Sequence, residues 1–280
     1  PFFAMIPEEK KAADSGMEGK GMERAMKIRK KIAKLCLLLL AAGICLLAAA
    51  GIVLGVEGYA LYKNGVEESP VAEKLREAQE DEDFVPFEKL PAIYVEAVTA
   101  AEDQRFWSHR GIDLISIGRA ALCDLVTLSF QEGGSTITQQ LAKNQYFTQE
   151  KKIRRKIGEI FMALEIEREC SKREIFEWYV NTIYFGSGYY GIRDAARGYF
   201  GKEPEELSDG EAVLLAGLPN APSVYGSNIC SSLTGQRTRQ VADQMAACGM
   251  LSRQEAEKLC ADIGDFVTEK REKTEYDGTR

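Results

Sequence analysis

An uncharged run near the start of the chain dominates its pattern of apolar and polar positions. Residues 35–56, LCLLLLAAGICLLAAAGIVLGV, carry no charged side chain. In a helix that rises about 1.5 Å per residue they span roughly 33 Å, enough to cross the hydrocarbon core of a membrane. The run is longer than the apolar centre of a cleaved signal peptide, although the small residues at 48–51 leave that alternative open. We therefore predict a transmembrane helix over 35–56.

The charges on the two sides of this run predict its orientation. Lysines and arginines crowd residues 24–34, whereas residues 57–84 carry mainly acidic side chains. The positive-inside rule then predicts that residues 1–34 form a basic cytoplasmic tail and that everything after residue 56 is extracytoplasmic. We expect residues 57–84 to form a membrane-proximal stalk.

Farther along the chain, apolar residues recur at helical spacing and no strand alternation persists. Pro91 suits the first turn of a helix that delivers Glu102 near its carboxyl end. SKRE at 171–174 and SDGE at 208–211 match the capping-box pattern at a helix start. The expected fold class is mainly α.

Composition narrows the domain organisation and the partners. The length suffices for a helical domain over 85–228 and a helical extension or linker over 229–280. The net charge of -7 argues against a nucleic-acid partner. The seven cysteines show no CxxC or metal-ligand spacing, so a zinc site is not expected.

The segment AEDQRFWSHRGID at 101–113 is the first candidate for chemistry. It places two adjacent carboxylates, Glu102 and Asp103, at the end of an apolar run, and it holds His109, the only histidine of the chain. A solvated turn would explain the charges but not the aromatic residues beside them. A partly buried carboxylate at a helix end is suited to general acid–base work.

The segment EGGSTITQQLAKN at 132–144 is the second candidate. A helix that begins near Ser135 has one polar face, formed by Thr136, Gln140, Lys143 and Asn144. The paired glycine before it would leave backbone N–H groups free for an anion. A capped surface helix with a flexible entry is the alternative.

A third segment, around RRKIGEIFMALEIE at 154–167, combines an apolar stripe with paired charges. The predicted core stripe is Ile153, Ile157, Phe161 and Leu164. Arg155 and Glu159 lie four residues apart on the opposite face, with Lys156 beside them. On an isolated helix this would be an exposed ion pair worth about 0.2–0.5 kcal/mol. Farther on, Gly186, Gly188 and Gly191 permit close backbone approach.

Five segments resemble, in order, the five motifs of peptidoglycan glycosyltransferases (glycosyltransferase family 51): EDQRFWSHRGID, GGSTITQQLAKN, RRKIGEIFMALEIE, IFEWYVNTIYFGSGYYGIRDAARGYFGK and LSDGEAVLLAGLPNAPSVY. The resemblance covers roughly 85–228. It implies a lysozyme-like helical fold beside a membrane, and lipid II as the substrate that is polymerised with inversion at the anomeric carbon. A monofunctional transglycosylase and the amino-terminal module of a class A penicillin-binding protein both remain open, since no SxxK, SxN or KTG set follows.

The resemblance also implies roles for individual residues. Glu102 would be the general base, and Glu159 matches the second catalytic glutamate on the donor side. Glu159 would bind a divalent cation, Mg²⁺ or Mn²⁺, or orient the basic residues. The cations expected to bind the diphosphate are Lys143, Arg155 and Lys156.

The other expected substrate-site residues fall in the first two motifs. Those expected to contact the donor sugar or diphosphate are Thr136, Gln140 and Asn144, with Ser135 setting their helix. Asp103 and His109 match motif positions that shape the site. We expect His109 to act through a structural hydrogen bond rather than in direct chemistry, and Phe106 to pack as core.

Two other functions stay open on the sequence. A lysozyme-like peptidoglycan hydrolase would also use a glutamate on a helical fold, but it would need no phosphate-binding cations. An inactive cell-wall scaffold would not need both glutamates. The expected partners are lipid II, the growing glycan strand, membrane lipid and other cell-wall synthesis proteins.

Overall fold

A computed structural model describes residues 8–127, 133–148 and 152–263. The tail prediction for residues 1–7 and the extension prediction for residues 264–280 lie outside the described residues. The chain divides into two units, residues 1–56 and residues 57–280.

The described residues are almost entirely helical, which confirms the predicted class. The α-helices are α1 (Glu8–Glu68), α2 (Val71–Gln79), α3 (Ala92–Glu102), α4 (Leu114–Thr127), α5 (Ile137–Tyr146), α6 (Ile153–Glu169), α7 (Lys172–Thr182), α8 (Ile192–Phe200), α9 (Asp209–Gly217), α10 (Pro222–Tyr225), α11 (Ser232–Ala247) and α12 (253–263). Two short antiparallel strands, β1 (Tyr184–Gly186) and β2 (Tyr189–Tyr190), form a hairpin before α8.

In the first unit the structure describes residues 8–56, all of which belong to α1. The side chains of its leucines are exposed, for example 66% at Leu37 and 75% at Leu47. The part of α1 from Arg29 to Glu68 is long and apolar enough to cross a membrane. This agrees with the predicted membrane anchor, although the helix continues well past residue 56.

Residues 57–84 do not form the separate stalk that we expected. Tyr59 and Tyr62 contact the Phe161 ring of α6, with ring centroids 5.4 and 6.0 Å apart. Val71 and Leu75 of α2 are buried in the core of the second unit. They lie four residues apart on one helix face, so Glu73 between them can stay in solvent. Because the segment is acidic on average, its composition did not indicate this apolar face.

The core of the second unit is organised around α3. This helix packs against α9 and α11, while α5 packs against α6 and α7. The predicted capping boxes are confirmed at Ser171 and Ser208, whose side chains accept hydrogen bonds from the third residue of each helix. The segment from residue 229, predicted to be an extension or linker, therefore contributes α11 to the core beside α3.

The buried face of α6 differs from the predicted stripe. Its buried residues are Gly158, Glu159, Met162, Ala163 and Ile166. Ile153 is 70% and Leu164 43% exposed. Apolar residues lie on more than one side of this helix, and tertiary packing selects the side with the small residues. A Cβ at Gly158 would lie 3.2 Å from the Gly58 carbonyl oxygen, so the glycine permits a close approach of α1 and α6.

Two of the three predicted close backbone approaches are confirmed around the hairpin. A Cβ at Gly186 would lie 2.4 Å from the carbonyl oxygen of Pro222, and one at Gly191 would lie 2.6 Å from that of Asn181. Gly188 has open space around it, but its φ of +89° favours glycine all the same. These contacts hold the hairpin against α7 and α10.

Candidate active site

A cavity of about 490 Å³ opens beside the carboxyl end of α3. Its lining comes from the end of α3, the start of α4, the segment before α5, and α11. The lining residues are Ala100, Ala101, Glu102, Asp103, Gln104, Asp113, Ser116, Arg119, Gly133, Gly134, Ser135, Thr136, Asn220, Arg237 and Gln244. Four of the residues predicted for the site therefore meet at one cleft: Glu102, Asp103, Ser135 and Thr136.

Glu102 is the last residue of α3, and its side chain is 9% exposed. Gln140 donates a hydrogen bond from Nε2 to Oε2 of Glu102 at 2.8 Å. Arg237 lies on the other side, with Nη2 3.4 Å from Oε1. Tyr179 in turn donates to Oε1 of Gln140 at 3.1 Å. Burial, and secondarily the charge of Glu102, raises the pKa of Tyr179 well above its usual value, so its hydroxyl stays protonated.

These bonds change the expected role of Gln140. Its amide oxygen and amide nitrogen are both engaged by protein groups rather than directed at a sugar or diphosphate. Gln140 therefore holds Glu102 in place. The polar face predicted for α5 exists at this position, but it faces the carboxylate.

Asp103 joins the first motif to the start of α5. Its Oδ2 lies 2.8 Å from Nε2 of His109 and accepts a hydrogen bond from the Ile137 backbone N–H at 3.0 Å. Its side chain is 3% exposed and that of His109 8%. This geometry fits the structural hydrogen bond expected for His109. The Asp103 carboxylate thus accepts a hydrogen bond from a backbone N–H at the amino terminus of α5, where we expected an anionic ligand to bind.

Thr136 caps α5 and also lines the cavity. Its side chain accepts from the Gln139 N–H at 3.1 Å and donates to the Gly111 carbonyl at 2.7 Å. Gln139 returns a bond from its side-chain oxygen to the Thr136 N–H, which completes a capping box. Its hydroxyl proton is used within the protein, and one lone pair of Oγ1 remains for a ligand in the cavity.

Phe106 is fully buried, as the core interpretation predicts, so it cannot touch substrate directly. Its ring packs edge-on against Trp107, with centroids 4.9 Å apart, and beside Phe176 at 6.0 Å. The Lys172 ammonium lies 4.4 Å from its centroid. This aromatic cluster supports the loop that carries Asp103 and His109.

Glu159 and two cations form a compact cluster next to the cavity. Arg155 Nη1 lies 2.7 Å from Oε1 of Glu159, and Lys156 Nζ lies 3.0 Å from Oε2. The Glu159 side chain is 2% exposed, so this is not the exposed ion pair of an isolated helix. Lys156 also donates to the Ser135 hydroxyl at 2.7 Å, and Ser135 lines the cavity. The cationic cluster thus reaches the cleft that holds Glu102.

Glu159 does not fit as the ligand of a divalent cation. Both of its oxygens face cations, and almost no part of the side chain is exposed. Within the described ranges, no group of three or more His, Cys, Asp or Glu side chains could hold a metal ion. Of the two roles expected for Glu159, orienting the basic residues is the one that the geometry fits.

Two residues predicted for substrate binding lie away from this cavity. Lys143 is half-buried and Asn144 is exposed in the last turns of α5, and neither lines the cleft. Helical spacing predicted them on the same side as Gln140, farther along α5 from Ser135 and Thr136. Their roles stay predictions.

The sequence reasoning missed two arginines and an aspartate of the cavity wall. Arg237 in α11 lies between Thr234 and Val241, on the buried stripe of that helix. An arginine within an apolar stripe was the signal available in the sequence. Arg119 of α4 and Asp113 also line the cavity. Asp113 also accepts hydrogen bonds from the backbone N–H groups at the start of α4.

A helical domain with a buried carboxylate and a cationic cluster at one cleft is a class of site that group-transfer enzymes use, with a general base beside groups that stabilise negative charge. Comparison with protein families gives the same class, since the model described as Transglycosylase matches residues 68–246. The chain belongs to this transglycosylase family, the peptidoglycan glycosyltransferases whose motifs its sequence resembles. The matched range includes α2 and α11, in agreement with their packing in the core.

Individual relatives support this assignment. The chain is 43% identical over 175 residues to penicillin-binding protein 1A of Aquifex aeolicus and 52% identical over 136 residues to that of Vibrio cholerae. These matches cover 62% and 49% of the chain but only 24% and 16% of the two relatives. A Cupriavidus necator protein that carries the word transglycosylase in its name is 40% identical over 186 residues, 66% of this chain and 80% of that protein.

Proposed function

We propose that this protein polymerises lipid II into β-1,4-linked glycan strands, with release of undecaprenyl diphosphate. The observation that carries the proposal is the common cleft: the Glu102 carboxylate and the Ser135 hydroxyl line one cavity, and Lys156 of the cationic cluster contacts that hydroxyl. A base for an alcohol and cations for a diphosphate are the two groups that this transfer needs.

In the proposed reaction, Glu102 accepts the proton of the acceptor sugar's 4-hydroxyl group. The freed oxygen attacks the anomeric carbon of the lipid-linked donor from the face opposite the diphosphate. The carbon–oxygen bond to the diphosphate breaks, and the electron pair leaves with the diphosphate. Because attack and departure occur on opposite faces, the α-linked donor gives a β-linked product without a covalent enzyme intermediate.

The cations of the site would stabilise the departing diphosphate. Arg119 lines the cavity itself, and Lys156 reaches it through Ser135. Glu159 lies between Arg155 and Lys156 and would hold the Lys156 ammonium group in position. A divalent cation, Mg²⁺ or Mn²⁺, would be held by the diphosphate of the substrate rather than by Glu159. The cation would neutralise part of the phosphate charge.

Exposed apolar residues beside the cavity support a lipid-borne substrate. Leu114 and Ile115 of α4 are 77% and 68% exposed. Their neighbours Asp113 and Ser116 line the cavity, so an apolar surface begins at its edge. The long apolar helix α1 would keep the domain at the membrane where such a substrate lies.

The proposed topology has the basic tail in the cytoplasm and residues from 57 onward outside, with lipid II and membrane lipid as partners. The basic residues before the apolar run support this orientation. Protease added to intact spheroplasts should digest the second unit and spare an epitope placed on the tail. Digestion of the tail alone would reverse the orientation.

The test of the activity uses the full chain in detergent with lipid II, with and without Mg²⁺ or Mn²⁺, and gel separation of glycan products. We expect polymer from the wild type and almost none from Glu102→Gln. Glu96→Gln is the matched control, because Glu96 is exposed on the same helix. Unchanged polymer from Glu102→Gln would remove Glu102 from its role. Fragments from finished peptidoglycan, without polymer from lipid II, would favour the hydrolase instead.

A further inference from the structure

Arg237 is a buried arginine whose guanidinium group reaches Glu102 from a distant part of the chain. The two residues are 135 positions apart, and Arg237 lies beyond the segments that resemble the family motifs. Its side chain is 10% exposed, and it lines the same cavity as Glu102. The distance from Nη2 of Arg237 to Oε1 of Glu102 is 3.4 Å.

The structure holds this arginine in a fixed place. Its Nε donates to the carbonyl oxygen of Gly217, in α9, at 3.2 Å. A Cβ at Gly217 would lie 3.2 Å from Cγ of Arg237, so the side chain runs along the surface of α9 in close contact. Because α9 also packs on α3, the guanidinium group and the Glu102 carboxylate are positioned by the same pair of helices.

Glu102 is consequently held from two sides. Gln140 of α5 donates to Oε2, and Arg237 of α11 faces Oε1. Each carboxylate oxygen has two lone-pair directions, so these contacts fix the carboxylate plane and still leave a direction open toward the cavity. A base that must meet a substrate hydroxyl within hydrogen-bond distance depends on such fixation.

We propose that Arg237 is a positioning residue that holds the Glu102 carboxylate in the orientation needed to accept the proton of the acceptor hydroxyl. This inference rests on the proposed function. In this inference Arg237 acts through Glu102, since its Nε donates to the Gly217 carbonyl and its Nη2 faces Oε1 of Glu102. Its loss should therefore lower kcat and leave substrate binding intact.

The experiment compares four variants of the full chain in the lipid II polymerisation assay: Arg237→Met, Arg237→Lys, Gly217→Ala and Arg239→Met. Binding stoichiometry for lipid II counts the folded sites, so that kcat is expressed per binding-competent chain. Loss of fixation should lower kcat of Arg237→Met about 10- to 100-fold, with KM within about twofold of the wild type. Arg237→Lys keeps the charge and should restore kcat to within about tenfold of the wild type.

The other two variants separate positioning from folding. Gly217→Ala leaves every polar group in place but presses a methyl group on Cγ of Arg237, so kcat should fall while KM stays unchanged. Arg239 is exposed on the same helix, and Arg239→Met should match the wild type. If Arg237→Met does not fold, Gly217→Ala and Arg237→Lys decide the question.

Wild-type kcat in folded Arg237→Met would overturn the inference, as would a rise in KM at unchanged kcat. Absence of polymer from the wild type would instead refute the proposed function. The two failures are therefore distinguishable in one set of assays.

Discussion

The buried Glu159 carboxylate tests how much burial adds to the stability that an ion pair contributes. From sequence spacing alone, Arg155 and Glu159 would form an exposed pair. Arg155 and Lys156 each approach one of its oxygens, but their side chains differ in exposure, 16% against 45%. An exposed i, i+4 pair contributes about 0.2–0.5 kcal/mol. Removal of one partner from a buried pair costs about 3–5 kcal/mol, because a charge is left without compensation in the interior.

We therefore expect Arg155→Met to lower the free energy of unfolding by about 3 kcal/mol, at the lower end of that range because Lys156 still faces the carboxylate. Lys156→Met should cost only about 1 kcal/mol, since water screens a half-exposed ammonium group. For a domain of this size, these losses correspond to decreases in Tm of roughly 6–12 °C and 2–4 °C.

Thermal unfolding of the full chain in a single detergent, followed by circular dichroism, measures these differences. Arg168→Met is the matched control: Arg168 lies on the same helix and pairs with Glu165 and Glu169, but its side chain is 69% exposed. Its Tm should remain close to that of the wild type. If Arg155→Met lowers Tm no more than Arg168→Met, the pair behaves as an exposed one and the reasoning from burial fails.

Two further predictions follow from shifted pKa values. Burial alone would raise the pKa of Asp113, but hydrogen bonds from Arg105 and Ser116, with the charge of Arg105, lower it from 3.8 to about 2. Because the pKa of Asp113 is lower in the folded than in the unfolded protein, its ionised carboxylate stabilises the fold, and this stabilisation is lost as pH falls from about 4 to about 2. Asp113→Asn should therefore flatten the pH dependence of the free energy of unfolding, measured with urea, in that window. An unchanged slope would contradict this. Burial, and then the charges of nearby glutamates, raises the pKa of Cys170 to about 12. Iodoacetamide at pH 8 should therefore alkylate Cys170 much more slowly than the exposed Cys248, with urea removing the difference, and equal rates by mass spectrometry in the folded protein would refute it.

The sequence predicted elements best where the signal is local. The capping boxes at Ser171 and Ser208 need only four neighbouring residues to form, and both are present. The α3 helix follows from the spacing of its apolar residues and carries Glu102 at its end, as expected. Periodicity and capping act within a few turns of chain, so they can be read without knowledge of the fold.

Predictions that depended on residues distant in the sequence were less accurate. The stripe chosen for α6 was wrong, because the side buried in the fold is the one where Gly158 admits close contact. Thr136 and Gln140 have the polar groups of ligand-binding residues, but Gly111 and Glu102 engage them. The acidic composition of residues 57–84 did not indicate that Val71 is buried, because the core that buries it is formed by residues distant in the sequence.

The sequence by itself determined the helical class, the apolar run suited to a membrane and the five ordered motifs that carry the family resemblance. These are properties of neighbouring residues or of short segments, for which spacing and residue type suffice. Only the tertiary structure decided which side of α6 is buried, which polar groups face one another, and that Arg237 of α11 meets Glu102 of α3. These contacts join residues up to 135 positions apart, and their energies depend on burial that local sequence does not encode.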